Sequence, residues 1–224
     1  MLVSVKVKVW RKKIMKSKSL WNLSAWKLKD VILASLIAVL FAFVCFGVVH
    51  FVSFTLVPLM APLGIGDLAI EVVFGIFFMS AVFAPYIIRK PGVATIVGTL
   101  TGVVQILMGS AFAATLLMSA FVQGLGAEAG FAVFRYKKFN LLTMLVAALG
   151  ATITSFVLAW YRGAWSQVGI EIVVLRFAIR MSSAILFSAI CSKFFADRLA
   201  KAGVLKSYPI GENYVNVSME TVEE

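Results

Sequence analysis

The sequence predicts an all-α integral membrane protein: a bundle of six transmembrane helices with both termini on the cytoplasmic side. Three observations predict it. Of 224 residues, 62% are hydrophobic and only 14% charged, whereas soluble domains carry roughly 45–50% apolar and about 25% charged residues. Five or six stretches approach the roughly 20 apolar residues needed to cross about 30 Å of hydrocarbon. The 21 Lys and Arg, which outnumber 10 acids and give a formal net charge of +11, cluster in alternate segments between those stretches.

The chain divides into a basic tail over residues 1–28, a membrane domain over 29–199 and a second tail over 200–224. In the first tail Trp10, Trp21 and Trp26 interleave with lysines, a pattern suited to anionic headgroups and the membrane interface. The first span is expected over 31–54, ending near Pro58 and Pro62, and the uncharged segment 53–66 is long enough to form an outer lid. The second, over 68–88, is stopped by Arg89, Lys90, Pro91 and Gly92. The third, over 93–108, is short and rich in Gly and Thr. The fourth, fifth and sixth are expected over 111–134, 141–160 and 170–195. Residues 208–224 are polar, acidic at their end, and expected to fray.

Lys and Arg are retained on the cytoplasmic side. Eighteen of the 21 lie before the first span, after the second, after the fourth or after the sixth, while the opposite loops hold only Arg162. Both termini are therefore expected inside, and the positive charge needs no nucleic acid to explain it. Cys45 and Cys191 sit in apolar stretches without metal or redox spacing, which argues against a disulfide framework.

Ala34, Ala38 and Ala42 recur every four residues on the first span. Small residues permit the close backbone approach on which helix association in lipid depends, so this face packs either against its own bundle or against a second membrane protein. Gly98 with Gly102, and Gly126 with Gly130, repeat the spacing. Run 124–130 lacks the spacing and preceding strand of a phosphate-binding loop. Ionisable residues inside spans are costly and mark functional sites by default. These are Asp67 and Glu71 at the start of the second span, Glu128 in the fourth with Gln123 near it, and Glu171, Arg176 and Arg180 in the sixth. The carboxylates either pair with arginines or hold an amine-bearing or cationic ligand. His50 is the only histidine, too few for a metal site. Trp160, Tyr161 and Trp165 form an aromatic cluster, either an interfacial belt or walls for a flat ring. No catalytic motif is present.

The stretch from Glu71 through Gly75, Phe77 and Phe78 to Ile87-Ile88-Arg89-Lys90-Pro91-Gly92 resembles the YkoE family. So does run 123–128, Gln-Gly-Leu-Gly-Ala-Glu, followed by Phe131, Arg135 and Tyr136, and so do segment 26–30 and the ending from Arg180 through 203–205. The resemblance covers about residues 26–205. It implies a substrate-binding (S) component of an energy-coupling-factor ABC importer, capturing thiamine or its hydroxymethylpyrimidine precursor from the outer face of a prokaryotic plasma membrane. It also implies a transmembrane T component docked on Ala34, Ala38 and Ala42, and two ATPase subunits supplying the energy, with no cofactor on this chain. Thiamine combines an aminopyrimidine with a cationic thiazolium. The expected substrate contacts are Glu71, Gln123 and Glu128 as polar groups, Phe77, Tyr161 and Trp165 as stacking walls, and His50 at the outer end. The chain departs from the family in carrying Gly98 and Gln105 where acidic residues are expected.

Overall fold

The computed structural model describes residues 26–110, 113–163 and 169–211. Helix α1 (Leu28–Phe51) starts where the Asp30 carboxylate accepts the backbone N–H of Lys27 at 2.9 Å, so a charge in the first turn satisfies an orphan donor and complements the helix dipole. The helix does not end at the prolines. It continues through a π-helical stretch (Val52–Leu56), a single turn α2 (Val57–Met60) and a 3-10 turn (Ala61–Leu63). Pro58 follows directly on the π-helical stretch, a local widening of the kind that accommodates a residue without an N–H inside a continuing helix. The chain then reverses at Gly64, which takes the left-handed conformation with φ 71°. The lid expected over 53–66 is therefore a helical extension and a tight turn. The 36 helical residues Leu28–Leu63 rise about 54 Å, well beyond the roughly 30 Å of hydrocarbon.

The remaining elements are α3 (Gly66–Ile88), α4 (Val93–Leu107), α5 (Ala113–Val133), α6 (Leu141–Tyr161) and α7 (Ile170–Ser183). Helix α7 runs on through a π-helical stretch (Ala184–Cys191) into α8 (Ser192–Lys201). Among the described residues, four segments are long and apolar enough to cross a membrane: Leu28–Leu63, Leu68–Ile88, Ala114–Val133 and Leu141–Tyr161. The other two expected spans are helical as well, but α4 has 15 residues and the last is divided by its π-helical stretch.

Backbone contact at small residues sets the packing. A Cβ on Gly126 would fall 2.5 Å from the Gly150 carbonyl oxygen, and one on Gly130 would fall 2.4 Å from Ala147 Cα. Helices α5 and α6 thus meet along the glycine spacing. Gly124 brings α5 close to α4, where a Cβ on it would fall 2.9 Å from Thr95 Cα. Helix α3 crosses the last helix at Gly75, whose N–H donates to Ser183 Oγ at 2.9 Å and whose carbonyl accepts from Ser188 Oγ at 3.0 Å.

Ala34, Ala38 and Ala42 are buried within the chain, at 3%, 0% and 0% exposure. With Ile37, Phe41 and Cys45 they form the stripe of α1 that packs on α3 and α4. The face read as a docking surface is thus covered by the protein's own helices, and its small residues serve internal packing. Residues 208–211, the first of the segment expected to fray, also differ from expectation, while 212–224 lie outside the described residues. Leu205, Tyr208 and Ile210 are buried, because the Tyr208 hydroxyl donates to the Lys29 carbonyl at 2.7 Å and Lys29 Nζ donates to the Ser207 carbonyl. The tail thus packs under α1 as far as Gly211.

Candidate functional site

Five helix ends meet at the end of the bundle away from the basic loops: those of α1 and α4 at their C-termini, α3 and α5 at their N-termini, and Arg162 after α6. They enclose a cavity of about 410 Å³, within the range of small-molecule sites. Phe74 and Phe77 of α3 form an aromatic wall, edge to face with centroids 5.3 Å apart. Ala81, Gly98, Gly102 and Ala120 leave room for the cavity. Its polar lining comes from Thr101 and Gln105 of α4, from Thr115, Ser119 and Gln123 of α5, and from Arg162. Gln105 donates to the Thr101 carbonyl at 3.4 Å. The Gln123 side chain lines the cavity and makes no hydrogen bond with another described residue.

Of the expected contacts, Phe77 and Gln123 come together here. Glu71 lies one turn from Phe74 but is engaged elsewhere. Its carboxylate pairs with Arg180 through two bonds, from Nε at 2.6 Å and from Nη2 at 2.8 Å. Arg180 Nη1 donates to Ser155 Oγ at 3.1 Å, and the guanidinium lies 3.8 Å from the centroid of Phe74. Every charge in this buried group is matched, as low dielectric requires.

Glu128 stands five residues beyond Gln123 on α5, toward the basic loops. Its Oε1 accepts from the Gly92 N–H at 2.6 Å, and its Oε2 accepts from the Ala94 and Thr95 N–H groups at 2.9 and 3.3 Å. The Tyr136 hydroxyl also donates to it. A carboxylate from α5 therefore caps the N-terminus of α4, where unpaired N–H groups and the helix dipole favour negative charge. Burial, and then the Glu128 carboxylate, push the Tyr136 phenol above its ordinary range and keep it a donor. Arg135 and Tyr136 both take left-handed φ, 52° and 56°, strained for residues with a Cβ. The Glu128 bond and the stacking of Phe131 on Phe139 at 6.0 Å hold this turn. The connection between α3 and α4 is tied down as well, by Lys90 to Asp30 and by Arg89 over Phe139 at 5.4 Å.

His50 is half-buried on α1, with Nδ1 2.8 Å from the Phe46 carbonyl and its ring beside Phe46 and Phe54; it does not line the cavity. Tyr161 is 86% exposed and also lies outside the lining, although its neighbour Arg162 belongs to it. Trp165 lies outside the described residues. The sequence reading missed Phe74, Thr101, Thr115, Ser119 and Arg162. The signal for Phe74 was its spacing, since Ile70, Phe74, Phe77 and Ala81 share one face of a helix.

A helical membrane bundle with a polar-lined cavity at one end has the architecture of a solute-binding transporter subunit. A crystal structure described as an S-component of an ECF transporter matches it with a TM-score of 0.82 and 29% identity, over 89% of this chain and 98% of that one. A family model described as "ABC-type cobalt transport system, permease component" matches residues 29–154. The HMP/thiamine permease protein YkoE of Bacillus subtilis (strain 168) is 30% identical over 190 residues, 85% of this chain and 92% of that protein. The chain belongs to this family of ABC-transporter permease components, and it is a multi-pass membrane transport protein of the ECF S-component type.

Proposed function

We propose that this chain captures a pyrimidine-bearing vitamin, thiamine or its hydroxymethylpyrimidine precursor, from the outer face of the membrane. It would deliver the vitamin inward with a T component and two ATPase subunits. The observation that carries the reading is the Gln123 amide, which lines an aromatic-walled cavity without a hydrogen bond to another described residue. An amide that offers both donor and acceptor matches the ring nitrogen and exocyclic amine of an aminopyrimidine. Phe74 and Phe77 supply faces for a flat ring. The name of the related YkoE supports the same cargo. Cobalt, which appears in the description of the family model, is a poorer fit to amides, hydroxyls and one arginine than to the imidazole and thiolate ligands of transition metals.

Because the alanine stripe is covered, contact with the T component is better assigned to the outward side of α1. There Leu36, Leu40 and Val44 line a wholly apolar groove of about 700 Å³ with α3, α8 and Leu205. The deciding experiment is mass spectrometry of the small molecule that co-purifies with the detergent-solubilised protein. A pyrimidine is expected. An unrelated cargo, or a bound transition metal, would overturn the reading.

A further inference from the structure

We propose that the cavity selects a neutral, hydrogen-bonding heteroaromatic ring and discriminates against a permanently cationic one, so that free hydroxymethylpyrimidine is preferred to thiamine. This rests on the reading of the cavity as a pyrimidine site. A cation entering a low-dielectric cavity must exchange its hydration for a counter-charge or lose affinity. The cavity supplies none among the described side chains: its polar groups are amides and hydroxyls, and its one ionised member is Arg162, which is positive. The two buried glutamates are already engaged, Glu71 by both of its bonds to Arg180 and Glu128 by three backbone N–H groups at the N-terminus of α4.

The aromatic wall points the same way. A cation is attracted to the negative face of a ring, but the Arg180 guanidinium already sits 3.8 Å from the centroid of Phe74. A ring polarised toward one cation is a weaker partner for a second. A neutral aminopyrimidine needs neither a counter-ion nor that quadrupole. It needs the in-plane donors and acceptors that Gln123 and Gln105 present and a flat surface to lie on.

The experiment is calorimetric titration of the purified full chain with hydroxymethylpyrimidine, thiamine and deazathiamine, the last keeping thiamine's shape without its positive charge. Hydroxymethylpyrimidine is expected to bind about 30-fold more tightly than thiamine, with deazathiamine recovering most of that difference. Gln105→Glu, which places a carboxylate in the lining, is expected to improve thiamine binding about tenfold while changing deazathiamine binding less, with the melting temperature reporting that the variant is folded. Thiamine binding as tightly as deazathiamine overturns the inference and leaves the pyrimidine reading standing. So does thiamine binding that Asp67→Asn abolishes, which would identify a counter-ion on α3. Failure of all three probes to bind a folded protein overturns both.

Discussion

Among single residues, the three buried groups singled out as ligand contacts do different work. Gln123 faces a cavity without a described partner, so Gln123→Leu is expected to weaken binding of the pyrimidine probe about 10-fold, the equivalent of one ordinary hydrogen bond, with little change in melting temperature. Glu128→Gln reverses that pattern. It removes a charge from the N-terminus of α4 and turns an amide donor toward backbone donors, at a cost of about 1.5–3 kcal/mol, or a drop of roughly 3–10 °C for a chain of this size. Ligand affinity should stay within about twofold. Thermal denaturation in detergent alongside titration separates the two, and loss of affinity at unchanged melting temperature would return Glu128 to the site. For the Glu71–Arg180 pair, Glu71→Gln alone is expected to cost about 3–5 kcal/mol by leaving a buried guanidinium unmatched. Joining it with Arg180→Met should recover a large part. A double variant no more stable than the single would show that Arg180 finds another counter-charge.

At the scale of helices, the small-residue repeats decide what touches what. Gly130→Ala would drive a Cβ into the backbone of α6, 2.4 Å from Ala147 Cα, whereas nothing lies within 4 Å of a Cβ on Gly47. Loss of the folded species on size-exclusion chromatography is expected for the first. The second should leave the protein unchanged or up to about 1 kcal/mol more stable, since Ala is the better helix former. Ala38→Leu probes the alanine stripe in the same way. At 0% exposure it overpacks α1 against its neighbours, costing about 1–3 kcal/mol, so stability should fall even in the isolated chain.

Much of this level was legible in the sequence. Apolar length located the spans, and glycine spacing marked a packing face on α5. Spacing alone could not say which helix a small face meets, and the alanine stripe was therefore open between bundle and partner. The motif residues were equally ambiguous. Glu128 and Tyr136 hold a strained turn on the basic side, while Gln123, one and a half turns away on the same helix, lines the cavity. A family pattern shows that residues matter without showing which end of the bundle they serve. The continuation of α1 past Pro58 was hidden for a related reason, since a proline inside a continuing helix and a proline that ends one look alike in sequence.

Over the whole molecule, charge and cavity lie at opposite ends, and their separation gives the bundle a direction. Arg89, Lys90, Arg135, Lys137, Lys138, Arg198 and Lys201 all lie where α3 and α5 end and where α4, α6 and the tail after α8 begin, whereas the cavity end carries Arg162 alone in its lining. Basic residues next to spans stay in the cytoplasm because their translocation is disfavoured and anionic lipids hold them there. The cavity end should then face outward, the orientation that capture from outside demands. The packing of 205–210 against the start of α1 puts the last described residues beside the first. Single cysteines at Leu63 and Gly163, in a background with Cys45 and Cys191 replaced, should react with a membrane-impermeant maleimide in intact cells. A cysteine at Lys137 should react only after permeabilisation. Labelling of Lys137 in intact cells with protection of Leu63 would invert the protein, placing the cavity on the cytoplasmic side and removing capture from outside as its role.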